Sequence, residues 1–382
     1  MEKGRLRELL NRFRGKRVLV VGDCMLDEYL WGRVNRISPE APVMVVEQVE
    51  TTYAAGGASN VAANIVAMDG QASIVAVVGQ DAMGERLREV LERQGVRSDG
   101  MVAHPTRPTT VKSRVIAHNQ QVVRVDREDR SPVPQEVADE VVARAKAGLR
   151  WADAVLFSDY SKGVLTESVV RQIFDAAREA GRPVLANPKP ASILHYRELD
   201  LVTLNQSEAE AVTGLKLSEL ARIDEAGERL LEVCQCRAAV ITLGGRGLVL
   251  FQAGKPGRHL PVVPLEVYDP CGCGDSAIAA ATLARAAGGD WVEAATVANL
   301  AGNAKVRKLG VVPVTRKEIE GVWAMSHAMN GNGRRVANGN GVGNGVGNGV
   351  VVNGDLRLAQ GVPPNGHPLQ DGAHGADQVL PA

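Results

Sequence analysis

The sequence predicts an α/β protein: a doubly wound, mainly parallel sheet with helices on both faces and a small β-sheet lid. Three observations carry that class. Arg17-Val-Leu-Val-Val-Gly22 is a continuous apolar run closed by glycine, the pattern of a strand buried on both faces. From Pro134 onward, short β-rich runs alternate with helical stretches of about 10–15 residues, the rhythm of right-handed βαβ units. Two further stretches, about 33–52 and 107–127, are rich in β-branched residues and fall outside that rhythm.

Composition narrows the function classes before any motif is considered. The 382 residues suffice for one large α/β domain or two smaller ones, and 45% hydrophobic with 23% charged residues is a globular balance. Lysine plus arginine equals aspartate plus glutamate at 44 each, so the whole chain lacks an electrostatic footprint for nucleic acid or an acidic membrane. Residues 1–16 are charged, and no apolar run approaches the roughly 18 residues of a membrane span, which predicts a soluble cytoplasmic protein. Five cysteines, an odd number, argue against a secreted disulfide framework. Cys234-x-Cys236 and Cys271-x-Cys273 lack the usual spacing of zinc sites, so reduced thiols are expected.

Taken in order, the first strand ends at Gly22, and Asp23 and Asp27 follow at once. Ligands bind at the carboxyl ends of strands in open α/β sheets, so both are candidates for holding ligand hydroxyls, with a helix cap as the alternative. In 33–52, Pro39 and Pro42 break any helix, while 107–127 holds strands with Asn119-Gln120 as their turn. An exposed sheet of this kind needs covering, which predicts a homodimer through the lid. Between these stretches, Gly56 and Gly57 precede a helix with Asn60 near its start. The glycines admit a ligand close to backbone, and Asn60 offers a polyol one donor group and one acceptor.

A strand over 73–79 and a helix over 84–95 resume the rhythm. Then come a helix over 134–150, a strand over 152–158, a helix over 166–180, and strands over 183–186 and 201–204. A short helix over 207–213, a helix over 218–233 and a strand over 238–243 follow. Beyond Met329 the Gly/Asn-rich sequence has too little apolar content to fold, so 1–328 reads as the folded domain and 329–382 as a disordered tail.

Polar clusters stand at several strand ends. Ser158-Asp-Tyr-Ser-Lys-Gly163 brings Asp159 and Lys162 to one crevice edge, suited to a hydroxyl and a phosphate, although a surface ion pair gives the same pattern. Val267-Tyr-Asp-Pro-Cys-Gly-Cys-Gly-Asp-Ser276 runs into a small-residue helix over 277–287. Glycines there let unpaired N–H groups gather at a helix start, where the dipole favours an anion. Asp275, in the same turn, is placed to take a proton from a hydroxyl. The chain has no G-x-x-x-x-G-K-[ST] and no G-x-G-x-x-G after the first strand, which disfavours P-loop NTPases and Rossmann dehydrogenases.

The G-x-G-D spacing of Gly272 to Asp275, with Gly56, Gly57 and Asn60 upstream, resembles the paired signatures of the ribokinase-like (PfkB) sugar kinases. The resemblance covers about residues 5–320 and implies the ribokinase-like fold, with ATP and Mg²⁺ as cofactors and a monovalent cation as an optional third. It implies Asp275 as base and the N–H groups of Gly272, Cys273 and Gly274 as an anion hole for the transferring phosphoryl. Asn205 and Glu208 match the family's N-x-x-E on the phosphate side, Glu208 reaching the metal through water; without the family they read as a capped helix. Thr242, Gly244, Gly245 and Gly247 would lie beside the nucleotide, and Asn299 and Gly302 in the adenine pocket.

Val20–Tyr29, Arg36–Val43, Asn119-Gln-Gln121 with Arg124 and Asp126, and Ser158–Gly163 look more narrowly like the D-glycero-β-D-manno-heptose 7-phosphate kinases. Those occur alone or as the first domain of bifunctional heptose proteins. The likeness implies ATP-dependent phosphorylation of the anomeric hydroxyl to the 1,7-bisphosphate, on the way to a nucleotide-activated heptose. It sets Asp23, Asp27, Gly56, Gly57, Asn60, Arg124, Asp159 and Lys162 on the sugar phosphate, with Lys162 toward the 7-phosphate. It also leads to the expectation of a separate nucleotidyltransferase in the pathway.

Departures from the pattern keep alternatives open. The family's D-P-K-G is Asn187-Pro-Lys-Pro190 here, which removes a carboxylate near the phosphates. Cys273 replaces an alanine in the anion hole, with Cys271 and Ser276 as changes around it. A kinase of another sugar phosphate or nucleoside, a non-catalytic sugar-phosphate sensor, and a nucleotide-binding protein without kinase activity therefore stand beside the heptose reading.

Overall fold

Side chains of a strand alternate between its two faces, and the apolar content of both faces sets the layers. The computed structural model describes residues 1–118, 120–217, 220–263 and 266–333, and eight strands form one sheet. Its order is Lys255–Leu260, Leu248–Gln252, Ala238–Thr242, Leu201–Asn205, Val184–Asn187, Ala154–Ser158, Arg17–Gly22 and Gln71–Val75. The strands from Ala238–Thr242 to Gln71–Val75 are parallel, and Leu248–Gln252 and Lys255–Leu260 add an antiparallel edge. Val18 and Val20 enter a hydrophobic cluster with helices Lys3–Asn11, Ala58–Ala67, Cys273–Ala286 and Trp291–Lys305. Leu19 and Val21 belong to a second cluster with helices Gln135–Leu149, Glu167–Glu179 and Ile223–Cys234. Both faces are covered, so the doubly wound sheet expected from the sequence is present.

The lid is larger than the sequence suggests. Cys24–Ile37 pairs antiparallel with Met44–Gly57 and parallel with Val111–Ala117, which pairs antiparallel with Gln120–Arg127. Its first two strands run from Cys24 to Gly57 instead of spanning 33–52, so Asp27, Gly56 and Gly57 are strand residues. Asp and Gly–Gly are loop formers by local preference, but here the ladder that starts at Cys24 opposite Gly57 and the burial of Met25, Leu26 and Ala55 override it. Farther out, the lid exposes Ile37, Val49, Val123 and Val125.

Other boundaries differ for local reasons. The run over 73–79 divides at Ala76 into Gln71–Val75, in the main sheet, and Val77–Gly79, which pairs with Val102–His104. Lys255–Leu260 contains Pro256 and Gly257, which argue against a strand, yet as an edge it tolerates both. The anion-turn helix begins at Cys273, before the expected 277, and the helix expected from 218 begins at Ile223. Helix Arg316–Gly333 runs past the expected boundary at 328. Asn119 of the expected lid turn, residues 218–219, and the tail from 334 lie outside the described residues. No helix among the described residues is long and apolar enough to cross a membrane.

Candidate active site

Small side chains make the site's backbone geometry possible. Alanines of helix Cys273–Ala286 share one buried cluster with those of Trp291–Lys305. The N-cap is Gly272 at φ 78, where a Cβ would stand 3.0 Å from Asn60 Nδ2, so this left-handed turn requires glycine. Asp275 lies in the first turn, whose N–H groups have no intrahelical acceptor. One of the three expected anion-hole donors is engaged: Cys273 N–H donates to Pro270 O at 3.2 Å. Gly274 and Asp275 supply the first-turn amides that remain.

The carboxylate of Asp275 is buried and held from two sides. Asn60 Nδ2 donates to its Oδ2 at 2.7 Å, and Tyr160 O–H donates to its Oδ1. Burial raises the pKa of this carboxyl, while the hydrogen bonds from Tyr160 and Asn60 and the charge of Lys189 act the other way. Burial, and then Asp275 itself, push the Tyr160 phenol well above its ordinary range, so it remains a donor. A carboxylate fixed by two donors and made more basic by burial suits general-base chemistry on a hydroxyl.

Asp275 opens on a cavity of about 290 Å³ between strand ends, glycine turn and lid base. Leu204, Val240, Leu248, Ala295 and Ala298 give it an apolar wall. The lid contributes Asp27, Gly57, Lys112, Arg114 and Arg124, and the strand ends contribute Asn187, Lys189, Asn205, Glu208 and Thr242. Arg114 donates to Asp27 Oδ1, but burial outweighs that cation and raises the Asp27 carboxyl. Arg124 Nε donates to Asp126 Oδ1 at 2.9 Å, with the Arg124 side chain 49% exposed. Asn205 and Glu208 form a capping box, each accepting the other's backbone N–H at 2.9 Å. Lys189 Nζ lies 2.5 Å from Glu208 Oε1. Burial raises the thiol pKa of both Cys271 and Cys273 on the wall, that of Cys273 to about 11.

Several expected site residues are engaged elsewhere. Asp23 accepts from the amides of Tyr160 at 2.9 Å, Lys162 at 3.0 Å and Val164 at 3.4 Å, and so braces the loop after Ser158 instead of facing the cavity. Asp159 accepts from Ser161 N at 2.7 Å, Tyr196 O–H at 2.8 Å and the Ser192 hydroxyl. Lys162 Nζ is 2.6 Å from Glu128 Oε2, and both side chains are largely buried. Asn60 holds Asp275, and its Oδ1 accepts from Asn64 at 3.1 Å, so it positions the carboxylate rather than meeting a polyol. Gly56 leaves room for Asp27: a Cβ there would approach Asp27 Oδ2 to 2.4 Å.

On the nucleotide side, Gly244, Gly245 and Gly247 turn outside the cavity wall, where Thr242 stands. Asn299 Nδ2 donates to Pro261 O at 2.8 Å, and Gly302 packs toward Cys273 O, so neither lines the cavity; Ala295 and Ala298 of the same helix do. Sequence reasoning missed Lys112 and Arg114 of the lid and Tyr160 and Lys189 at the strand ends. The period-2 spacing of Lys112 and Arg114 puts them on one strand face, with Arg124 directly opposite Arg114, and that was the available signal.

The chain is similar to known proteins over most of its length. A family model described as pfkB family carbohydrate kinase matches residues 16–317. Two proteins named bifunctional protein HldE are similar in sequence. The one from Pelobacter propionicus is 39% identical over 328 residues, 86% of this chain and 67% of the relative. The one from Caulobacter vibrioides is 42% identical over 315 residues, 82% of this chain and 65% of the relative. The chain thus spans about two thirds of the length of these relatives. Among solved structures, phosphofructokinase-2 from Escherichia coli superposes with a TM-score of 0.69 at 18% identity, covering 82% of this chain and 99% of that one. Arabidopsis thaliana ribokinase, complexed with ribose and ATP, gives 0.63 at 20%, covering 82% and 99%. These structural likenesses establish the fold.

Proposed function

The chain belongs to the pfkB family of carbohydrate kinases, ATP-using phosphotransferases with an alcohol acceptor, and from that premise we propose that it phosphorylates the anomeric hydroxyl of D-glycero-β-D-manno-heptose 7-phosphate. The observation that carries this reading is one cavity lined both by Asp275 with the glycine turn and by the lid cations Lys112, Arg114 and Arg124. The choice of heptose draws on the sequence blocks in the lid and after the first strand, and on the similarity to the HldE proteins.

ATP bound against the apolar wall supplies the phosphoryl group. Asp275, oriented by Asn60 and Tyr160, accepts the proton of the anomeric hydroxyl. First-turn amides of Gly274 and Asp275 face the charge that develops on the phosphoryl oxygens. Arg124, half exposed beside Asp126, and its neighbours Lys112 and Arg114 line the cavity and take the 7-phosphate, a role that Lys162, buried against Glu128 and off the cavity wall, is poorly placed to fill. Mg²⁺ fits in a limited sense. Among the described residues no group of three His, Cys, Asp or Glu could cage a metal, but Mg²⁺ would take most of its ligands from phosphates and water, and Glu208 on the wall, whose Oε1 is paired with Lys189, would meet it only through water. Asn187, turned to Thr203 O at 2.9 Å, adds no charge to that shell.

The exposed Ile37, Val49, Val123 and Val125 support a homodimer in which a second copy covers the lid; sedimentation of wild type against Val125→Lys tests it, a monomeric wild type refuting it. The catalytic proposal is tested by following ADP with Mg-ATP and heptose 7-phosphate, fructose 6-phosphate, ribose or no sugar. Turnover on the heptose phosphate alone is expected. Preference for another acceptor would replace the substrate, and absence of turnover with any acceptor, with the sugar still bound, would favour a sensor.

A further inference from the structure

One cation beneath the anion turn has no counter-ion. Lys305, the last residue of helix Trp291–Lys305, is 0% exposed. Its Nζ donates to Lys308 O at 3.1 Å, and among the described residues no carboxylate forms a salt bridge with it. An ammonium has three donors and is costly to bury without a partner of opposite charge. The other deeply buried cation near the site, Lys162, has Glu128 at 2.6 Å.

The position of Lys305 relates it to the turn. A Cβ on Gly272 would stand 3.7 Å from Lys305 Cε, which puts the lysine stem directly against the helix N-cap. The residues after Lys305 are tied to those before Gly272: Val306 O accepts from Tyr268 N at 2.8 Å and from Asp269 N at 3.1 Å. Asp269 in turn accepts from Cys271 N at 2.9 Å and Gly310 N at 2.8 Å. The charge of Lys305 is felt on the turn, since after burial it is the largest influence on the Cys273 thiol, and the one that favours the thiolate.

We propose that Lys305 is a positioning residue whose buried ammonium provides a built-in positive charge under the glycine turn, with the terminal phosphate of bound nucleotide as its counter-charge. This deepens the kinase reading above and rests on it. The ammonium acts through the turn: it fixes the Gly272 backbone and raises the potential at the first-turn amides where phosphoryl charge develops.

The test uses full-length wild type, Lys305→Met, which keeps the volume, and Lys305→Ala, which leaves room for a small ion. Lys305→Met should lower kcat by about 10²-fold, with KM for the sugar phosphate within about twofold. It should also abolish a wild-type preference for ATP over ADP, measured by calorimetry without acceptor. In Lys305→Ala, ammonium chloride at about 0.1 M should restore kcat at least about fivefold, and tetramethylammonium chloride at equal ionic strength should not. Three results would overturn the proposal: unchanged kcat and ATP-to-ADP preference in Lys305→Met, a lowered melting temperature with no response to ammonium, or a wild type that binds both nucleotides equally. If the wild type turns over no sugar, the kinase reading fails, while the nucleotide preference still decides the role of Lys305.

Discussion

The loop after Ser158 and the cavity beside it each hold a pair of buried aspartates, and the two pairs differ in what surrounds them. Asp23 accepts three backbone amides, and Asp159 accepts one amide and two hydroxyls, all parts of the fold. Asp27 and Asp275 have side-chain partners, Arg114 for one and Asn60 with Tyr160 for the other, and both line the cavity. Burial does not separate the pairs. Asp23 is pushed up to about 6 by burial and then by Asp159, and burial raises Asp275 as well. What separates them is the open face toward a ligand, which Asp27 and Asp275 have on the cavity wall and Asp23 and Asp159 do not.

The widest contrast should come from paired substitutions. Asp275→Asn should lower kcat by about 10³-fold with little change in melting temperature, since a general base is lost and the packing is kept. Asp23→Ala should instead lower unfolding free energy by about 3 kcal/mol in urea titrations, because buried amides of Tyr160 and Lys162 lose their acceptor. A stable Asp23→Ala protein with the kinetic loss of Asp275→Asn would break the distinction.

The cations sharpen it next. Arg124→Ala should raise KM for the sugar phosphate about tenfold at unchanged stability, as expected for loss of a charge-assisted contact. Lys162→Met should chiefly lower the melting temperature, because the buried Oε2 of Glu128 loses its near cation and keeps only Lys112 at 3.7 Å, with Arg130 on the other oxygen. A larger KM change in Lys162→Met would return the phosphate site to the loop.

A smaller effect concerns pH. The hydrogen bond from Tyr160 lowers the Asp275 pKa, so Tyr160→Phe removes a force favouring the anion and raises that pKa. The base must be ionised to work, so kcat/KM falls as pH drops through its pKa, and in Tyr160→Phe that acid limb should move to higher pH. An unmoved limb would mean that another group titrates. Smallest of all, Asn205→Ala should cost about 1 kcal/mol of stability through the lost helix cap, read from denaturant midpoints.

Legibility from sequence followed the same division. Apolar strands such as Arg17–Gly22 and the alternation after Pro134 were enough for the doubly wound body, because burial on both faces leaves few other patterns. Gly272 and Asp275 were legible because a left-handed N-cap beside Asn60 admits only glycine. Asp23 and Asp159 were not separable from Asp27 and Asp275, since the backbone amides on Asp23 leave no trace in residue types and the hydroxyls on Asp159 come from Ser192 and Tyr196, 33 and 37 residues away in sequence. On the nucleotide side, the family resemblance pointed to Asn299, but helix phase turns Ala295 and Ala298 to the cavity and leaves Asn299 on the carbonyls of Leu260 and Pro261. Lys112 and Arg114 lie inside the expected lid stretch, on Val111–Ala117, but the sequence does not tell which face of that strand meets the cavity.

The most direct test of the central claim is the ³¹P spectrum of the product made from Mg-ATP and D-glycero-β-D-manno-heptose 7-phosphate by wild type and by Asp275→Asn. Wild type should give one new anomeric phosphate signal beside the retained 7-phosphate, in step with ADP, and the folded variant should give almost none. Phosphate at another carbon, ATP consumed only to inorganic phosphate, or product formed by Asp275→Asn at close to the wild-type rate would contradict the account.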